Sequence, residues 1–114
     1  MGIHYLEVVT AAVDDMCAVY AAANGLVFGE PDPLLGQART ASLPEGGRIG
    51  VRAPMSESEE PTIRPYWLVD DIEAAVTAAV DNGAELAHPP LEIPGYGTFA
   101  IYIAGGTQHG LWQL

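Results

Sequence analysis

Apolar positions fall into two rhythms that occur twice along the chain. Val13, Met16, Cys17 and Tyr20 recur at helical spacing, and so do Ile72, Ala75, Val76 and Ala79. A short β-rich stretch precedes each helix: Tyr5-Leu6-Glu7-Val8-Val9 before the first, Arg64-Pro65-Tyr66-Trp67-Leu68-Val69 before the second. Asp70 or Asp71 offers an N-cap to the second helix. Asn24-Gly25 and Asn82-Gly83 are stop signals, because glycine takes the left-handed turn that ends a helix without steric cost.

Three strand-like segments follow each helix. In the first half they are Leu26–Glu30, Ala38–Leu43 and Arg48–Ala53, the last two joined by Pro44-Glu45-Gly46-Gly47. In the second they are Glu85–His88, Thr98–Ala104 and His109–Leu114, the last two joined by Gly105-Gly106-Thr107-Gln108. Glycine pairs supply the positive φ that tight hairpins need. The order β-α-β-β-β therefore occurs twice, in modules 1–53 and 63–114 of a single α+β domain, 1–114. The acidic stretch Pro54–Pro61 reads as a solvated linker, 54–62.

Composition narrows the function classes. Apolar residues make up 49% of the 114 residues and charged ones 17%, which predicts a globular domain with a buried core. No apolar run approaches the roughly 20 residues of a membrane span. The opening Met1-Gly2-Ile3-His4-Tyr5 reads as strand, not signal peptide, and the lone Cys17 has no disulfide partner. A cytoplasmic protein is the expectation. Net charge is −11, with 15 acidic residues against four arginines and no lysine. Such a surface repels phosphate backbones and anionic lipid, so neither nucleic acid nor membrane is an expected partner.

The motifs resemble one family. Val69-Asp70-Asp71-Ile72-Glu73-Ala74-Ala75, ending in Asn82-Gly83-Ala84-Glu85, is similar to the second-module opening of the glyoxalase/bleomycin resistance protein/dioxygenase (vicinal oxygen chelate) superfamily. Tyr5-Leu6-Glu7-Val8-Val9-Thr10, then Tyr20 and Gly25-Leu26, resembles its first-module opening. Gly110-Leu111-Trp112-Gln113 resembles a lactoylglutathione-lyase-related branch ending in these residues. The resemblance implies two βαβββ modules whose mixed sheets curl into a cup. Metal-dependent members line that cup with four side chains, from the first and last strand of each module.

Matching the helices and the Gly-Gly turns puts Tyr5, Arg64, Gly50 and Gly110 at those four positions. None is a usual donor to a divalent ion, so neither a metal nor another cofactor is expected. The register sets His4 beside Leu6 and Val8 on the helix-packed face. His88 and His109 have no acidic, thiol or imidazole partner at ligand spacing. The cup-facing alternation carries Tyr5, Glu7 and Val9 with Arg64, Tyr66 and Leu68, then Arg48, Gly50 and Arg52 with Gln108, Gly110 and Trp112. Aromatic walls, arginines and glycines that empty the floor suit a small organic molecule bearing a carboxylate or phosphate. The alternative is internal: Arg64 pairing with Glu7, Arg52 flanking a loop, Tyr66 and Trp112 serving as core.

Pro89–Gly97 reads as a crossover or as a lid over the cup. No G-x-S-x-G elbow occurs, and Cys17 lies on a buried helical stripe. Glu7 is the acidic residue aimed into the cup and the general-base candidate. The leading expectation is metal-independent binding of a small anionic molecule. The alternatives are a glyoxalase-type lyase or isomerase using Glu7, and a scaffold with a vestigial cup. Open sheet edges and apolar faces predict a homodimer.

Overall fold

The structure, a computed structural model, describes residues 2–114. Met1, which opens the strand-like N-terminal stretch, lies outside the described residues. Chain contacts divide the protein into two units, Tyr5–Ile63 and Arg64–Leu114, the latter taking in the residues up to His4.

In the first unit, β1 (Ile3–Val9) leads to α1 (Val13–Asn24), then β2 (Arg39–Ser42) and β3 (Arg48–Arg52). Strand β3 pairs parallel to β1 and antiparallel to β2, so the order is β2-β3-β1. Alternation sends Leu6 and Val8, with Ile49, Val51 and Ala41, toward α1, where they pack with Cys17, Val13, Met16 and Tyr20. Helix α1 ends at Gly25, whose left-handed φ of 68° lets its N–H reach the Ala21 carbonyl. Leu26–Glu30 is not a ladder strand. Gly29 N donates to Thr40 O and Asp32 bridges Ala38. Pro31 and Pro33 have no N–H to continue, and the chain turns through the 3-10 segment Pro33–Leu35.

In the second unit, β4 (Thr62–Leu68), which begins within the expected linker, is followed by α2 (Ile72–Asp81), β5 (Glu85–Ile93), β6 (Gly97–Ala104) and β7 (Thr107–Gln113). The order is β4-β7-β6-β5, with β4 and β7 parallel and the other pairs antiparallel. Asp71 is the N-cap, its carboxylate accepting from Ala74 N at 3.1 Å, and Gln113 Oε1 accepts from Ile72 N at 2.8 Å. Ile72, Ala100 and Leu111 form the core under α2.

Pro89–Gly97 is neither crossover nor lid. Strand β5 runs through both prolines to Ile93, and Pro94-Gly95-Tyr96 turns it into β6. Prolines are tolerated because β5 is an edge strand and the ladder shifts register around them. Among the described residues no helix is long and apolar enough to cross a membrane.

Candidate functional site

In each unit the strands have a face turned away from the helix, and the expected site residues divide between these two faces. In the first unit the β1–β3 register pairs Tyr5 with Arg48, Glu7 with Gly50 and Val9 with Arg52. In the second, Tyr66 pairs with Gly110 and Leu68 with Trp112. Arg64 and Gln108 meet one step further, where Arg64 Nε donates to Gln108 Oε1 at 3.0 Å. The two modules thus place corresponding residues alike. Arg39 points the other way, donating to Asp14 in the first turn of α1 at 2.9 Å.

Glu7 and Arg52 form a buried ion pair, Nε to Oε2 at 2.7 Å. Arg52 then clasps Glu59 with both terminal nitrogens, at 2.8 and 2.7 Å, and donates to the Ala53 carbonyl at 3.1 Å. Its hydrogen bonds to Glu59 raise the guanidinium pKa above its ordinary range, against the opposing effect of burial and with further help from Glu7. Two expectations change. Arg52 does more than flank a loop, and Pro54–Pro61 is not a free linker: Glu59 ties it to β3 and also accepts from Met55 N at 2.7 Å. A buried guanidinium needs carboxylates, and the acidic linker supplies one.

Arg64 is buried, with Nη1 3.4 Å from the Tyr66 hydroxyl. Arg48 is half-buried, with Nη1 donating to Thr40 Oγ1 at 3.1 Å. Trp112 is buried edge-on to Tyr66, centroids 5.7 Å apart, and its Nε1 donates to Tyr96 O at 3.0 Å. His4, expected on the helix-packed face, instead lies against Trp112 with centroids 5.4 Å apart, an aromatic contact that neither Leu6 nor Val8 offers.

The glycines do not empty a pocket floor. A Cβ on Gly50 would overlap the Tyr5 phenol, and one on Gly110 would overlap the Tyr66 ring. Each glycine is the seat of a tyrosine, because a large ring lying flat on a sheet needs a partner without a side chain.

The residues that the sequence matches to the superfamily's ligand positions offer a divalent ion no usual donor in either unit. A tyrosine lies on Gly50, another on Gly110, and Arg64 brings a cation. No trio of His, Cys, Asp or Glu gathers elsewhere among the described residues. A separate open cleft of about 380 Å³, at the end of α1, is lined by Gly25, Leu26, Val27, Ser42, Leu43 and Pro44 and has no charged group.

Sequence reasoning missed two groups. Glu59 looked like one acid among several in the linker, and only tertiary contact singles it out. His88 stacks on Phe99 with centroids 4.8 Å apart, on the face that carries Tyr66.

No protein-family model matches the chain, and no curated protein matches it. Solved structures do. A hypothetical protein of Bacillus halodurans C-125 superposes with a TM-score of 0.78 at 17% identity, over 98% of this chain and 93% of that one. Methylmalonyl-CoA epimerase from Mycobacterium tuberculosis gives 0.75 at 18% identity, over 98% and 87%. A Streptomyces coelicolor methylmalonyl-CoA epimerase in complex with 2-nitronate-propionyl-CoA gives 0.71 at 13%, over 99% and 96%. Methylmalonyl-CoA epimerase is a member of the glyoxalase/vicinal oxygen chelate superfamily, and this chain has the α+β fold of that superfamily. At such identities the likeness speaks for the fold alone.

Proposed function

We propose that this protein binds a small organic anion without a metal, through the sheet faces turned away from its helices, as a cytoplasmic homodimer of a single glyoxalase-like domain. The observation that carries this reading is where charge is buried. Glu7, Arg52 and Arg64 are the buried charged side chains among the described residues, and all three belong to these faces. Desolvating charge is costly, and a face used only for packing would be apolar, as the helix-facing sides are.

Arg52 is committed to Glu7 and Glu59, so its part is to hold Glu7 in place. We assign contact with the anion to the second unit's face, to Arg64 with Gln108 as its polar neighbour and Tyr66 and Trp112 as walls over Gly110; Arg48, with Tyr5 over Gly50, holds the corresponding place on the first unit's own face. The test is a thermal-shift screen of organic acids, phosphates and acyl-CoA thioesters, then calorimetry on wild type, Arg48→Met and Arg64→Met. A charge-assisted hydrogen bond is worth about 1.5–3 kcal/mol, so losing it weakens binding by roughly 10- to 150-fold. A binder whose affinity stays within about twofold in both variants overturns the reading. Stoichiometric metal in the untagged protein would overturn its metal-independent part, and a solution mass near 12 kDa its dimer.

A second reading is an isomerase or lyase of the glyoxalase type with Glu7 as general base. It is favoured by the ion pair with Arg52, which fixes the orientation of a buried carboxylate. An oriented carboxylate suits removal of a proton from carbon beside a carbonyl, the kind of step an epimerase performs. Solvent-deuterium exchange into an acyl-CoA, abolished in Glu7→Gln, supports it. Exchange that persists in Glu7→Gln rules Glu7 out.

A further inference from the structure

We propose that His88 is a ligand-facing hydrogen-bond acceptor, and that the anion bound by this fold is an elongated organic acid carrying a hydroxyl or N–H group several bonds from its charge. The inference rests on the anion-binding reading and specifies its ligand.

The register of β5 brings His88 to the face in question. Leu86 pairs with Tyr102, which packs under α2. His88, two residues on, should by strict alternation lie on that same side. The ladder instead shifts between Leu86 and His88, and His88 pairs with Ile101. Ile101 pairs with Gly110, and Gly110 with Tyr66, so His88 stands in the row of the candidate site. Bulges re-aim side chains in this way, and the following Pro89-Pro90 keeps β5 from resuming regular pairing.

The imidazole is also held in one tautomer. Its Nδ1 lies 2.7 Å from the Pro89 carbonyl oxygen, which can only accept, so Nδ1 carries the hydrogen. Stacking on Phe99 fixes the ring plane. In the neutral imidazole Nε2 then presents a lone pair, and no described residue is hydrogen-bonded to it. A ring positioned twice over, with its acceptor atom left to an outside donor, is built to receive one.

The spacing sets the ligand's length. Strands β4 and β5 are three strand spacings apart, about 14 Å, with Arg64 on the first and His88 on the second. Both side chains are long, so about six to ten bonded atoms bridge them. Phe99 and Ile101 between them give that stretch an apolar wall.

The test uses ω-hydroxy acids of four to ten carbons, each beside its unsubstituted parent acid, titrated by calorimetry into wild type, His88→Asn and His88→Gln. Asparagine keeps a donor near Pro89 O and removes the Nε2 position, whereas glutamine reaches it. Melting temperatures verify that both variants fold. At one chain length, wild type should prefer the hydroxy acid by about 2- to 13-fold. The preference should vanish in His88→Asn with the parent acid's affinity unchanged, and partly return in His88→Gln. Equal binding of every pair by wild type, or a preference that survives in His88→Asn, overturns the assignment and leaves the anion reading standing. If wild type binds no acid of either series, the anion reading itself falls, and this assignment with it. Nitrogen-15 spectra of the free protein give an independent readout: hydrogen on Nε2 in neutral His88 overturns the assignment.

Discussion

Replacing Gly110 by alanine should destabilise the protein, although alanine is the better residue on backbone grounds. Gly110 sits in β7 with an ordinary strand conformation, so the substitution brings no φ strain. Its effect on the unfolded chain alone would stabilise by about 0.4–1 kcal/mol. Against that stands the Tyr66 ring. A Cβ on Gly110 would lie 2.6 Å from Tyr66 Cε2 and closer still to Cγ and Cδ2, at the base of the ring. Tyr66 is 4% exposed and wedged against Trp112 and Phe99, so the ring has nowhere to swing. Overpacking of this kind costs about 1–3 kcal/mol, which outweighs the entropic gain. The net loss is roughly 0.5–2.5 kcal/mol, a fall of about 2–10 °C in Tm for a domain of this size. Gly50→Ala should cost less, because its Cβ meets the hydroxyl end of Tyr5 rather than the base of the ring. Urea and thermal unfolding of Gly110→Ala, Tyr66→Leu and the double variant would measure the coupling, expected at about 0.5–3 kcal/mol. If Gly110→Ala is as stable as wild type, the space above the glycine is open and the tyrosine-seat account is wrong.

Three other outcomes follow from the buried groups. Arg52→Met should lose about 3–5 kcal/mol in denaturant unfolding, because it leaves the buried Glu7 without this cation; a loss under 1 kcal/mol would show that the pair is not structural. Glu59→Gln should cost only about 1 kcal/mol, since Glu59 is partly exposed, yet it should speed proteolytic cutting within Pro54–Pro61, and an unchanged cutting rate contradicts the clasp. Cys17 should resist thiol reagents in the native protein and react in denaturant. Burial, with a smaller contribution from Asp14 and against Arg39, raises its pKa above the unfolded value. The folded state then holds the proton more tightly, so this contribution to stability is complete below the unfolded pKa and declines as pH rises through the window above it; a Cys17→Ala variant should lack that decline.

Much of the fold was legible because its determinants are local. Helical spacing, the Asp71 cap, the Gly25 stop and the Gly-Gly hairpins each act within a few residues, and every one appears in the structure. Their repetition predicted two similar halves, of which the first lacks the expected strand Leu26–Glu30. Alternation also predicted the face of most strand residues, so Tyr5, Glu7, Arg48 and Arg52 stand on one face in the first unit and Arg64, Tyr66, Gln108 and Trp112 on one face in the second, with His4 and His88 the exceptions.

What fills that face was decided by contacts between residues far apart in the chain. A glycine reads as empty space until the structure places Tyr5 over Gly50, 45 positions away, and Tyr66 over Gly110, 44 away. Glu59 is indistinguishable from its neighbours until Arg52 needs a second carboxylate. The expected strand Leu26–Glu30, which runs into Pro31 and Pro33, did not form, whereas Pro89 and Pro90 were absorbed into an edge strand. Proline removes a donor in both places, and whether that breaks a ladder depends on which side of the strand has a partner. The bulge that turns His88 over is of the same kind. Period-two reasoning assumes a regular ladder, and a ladder's irregularities belong to the pair of strands, which no single segment of sequence contains.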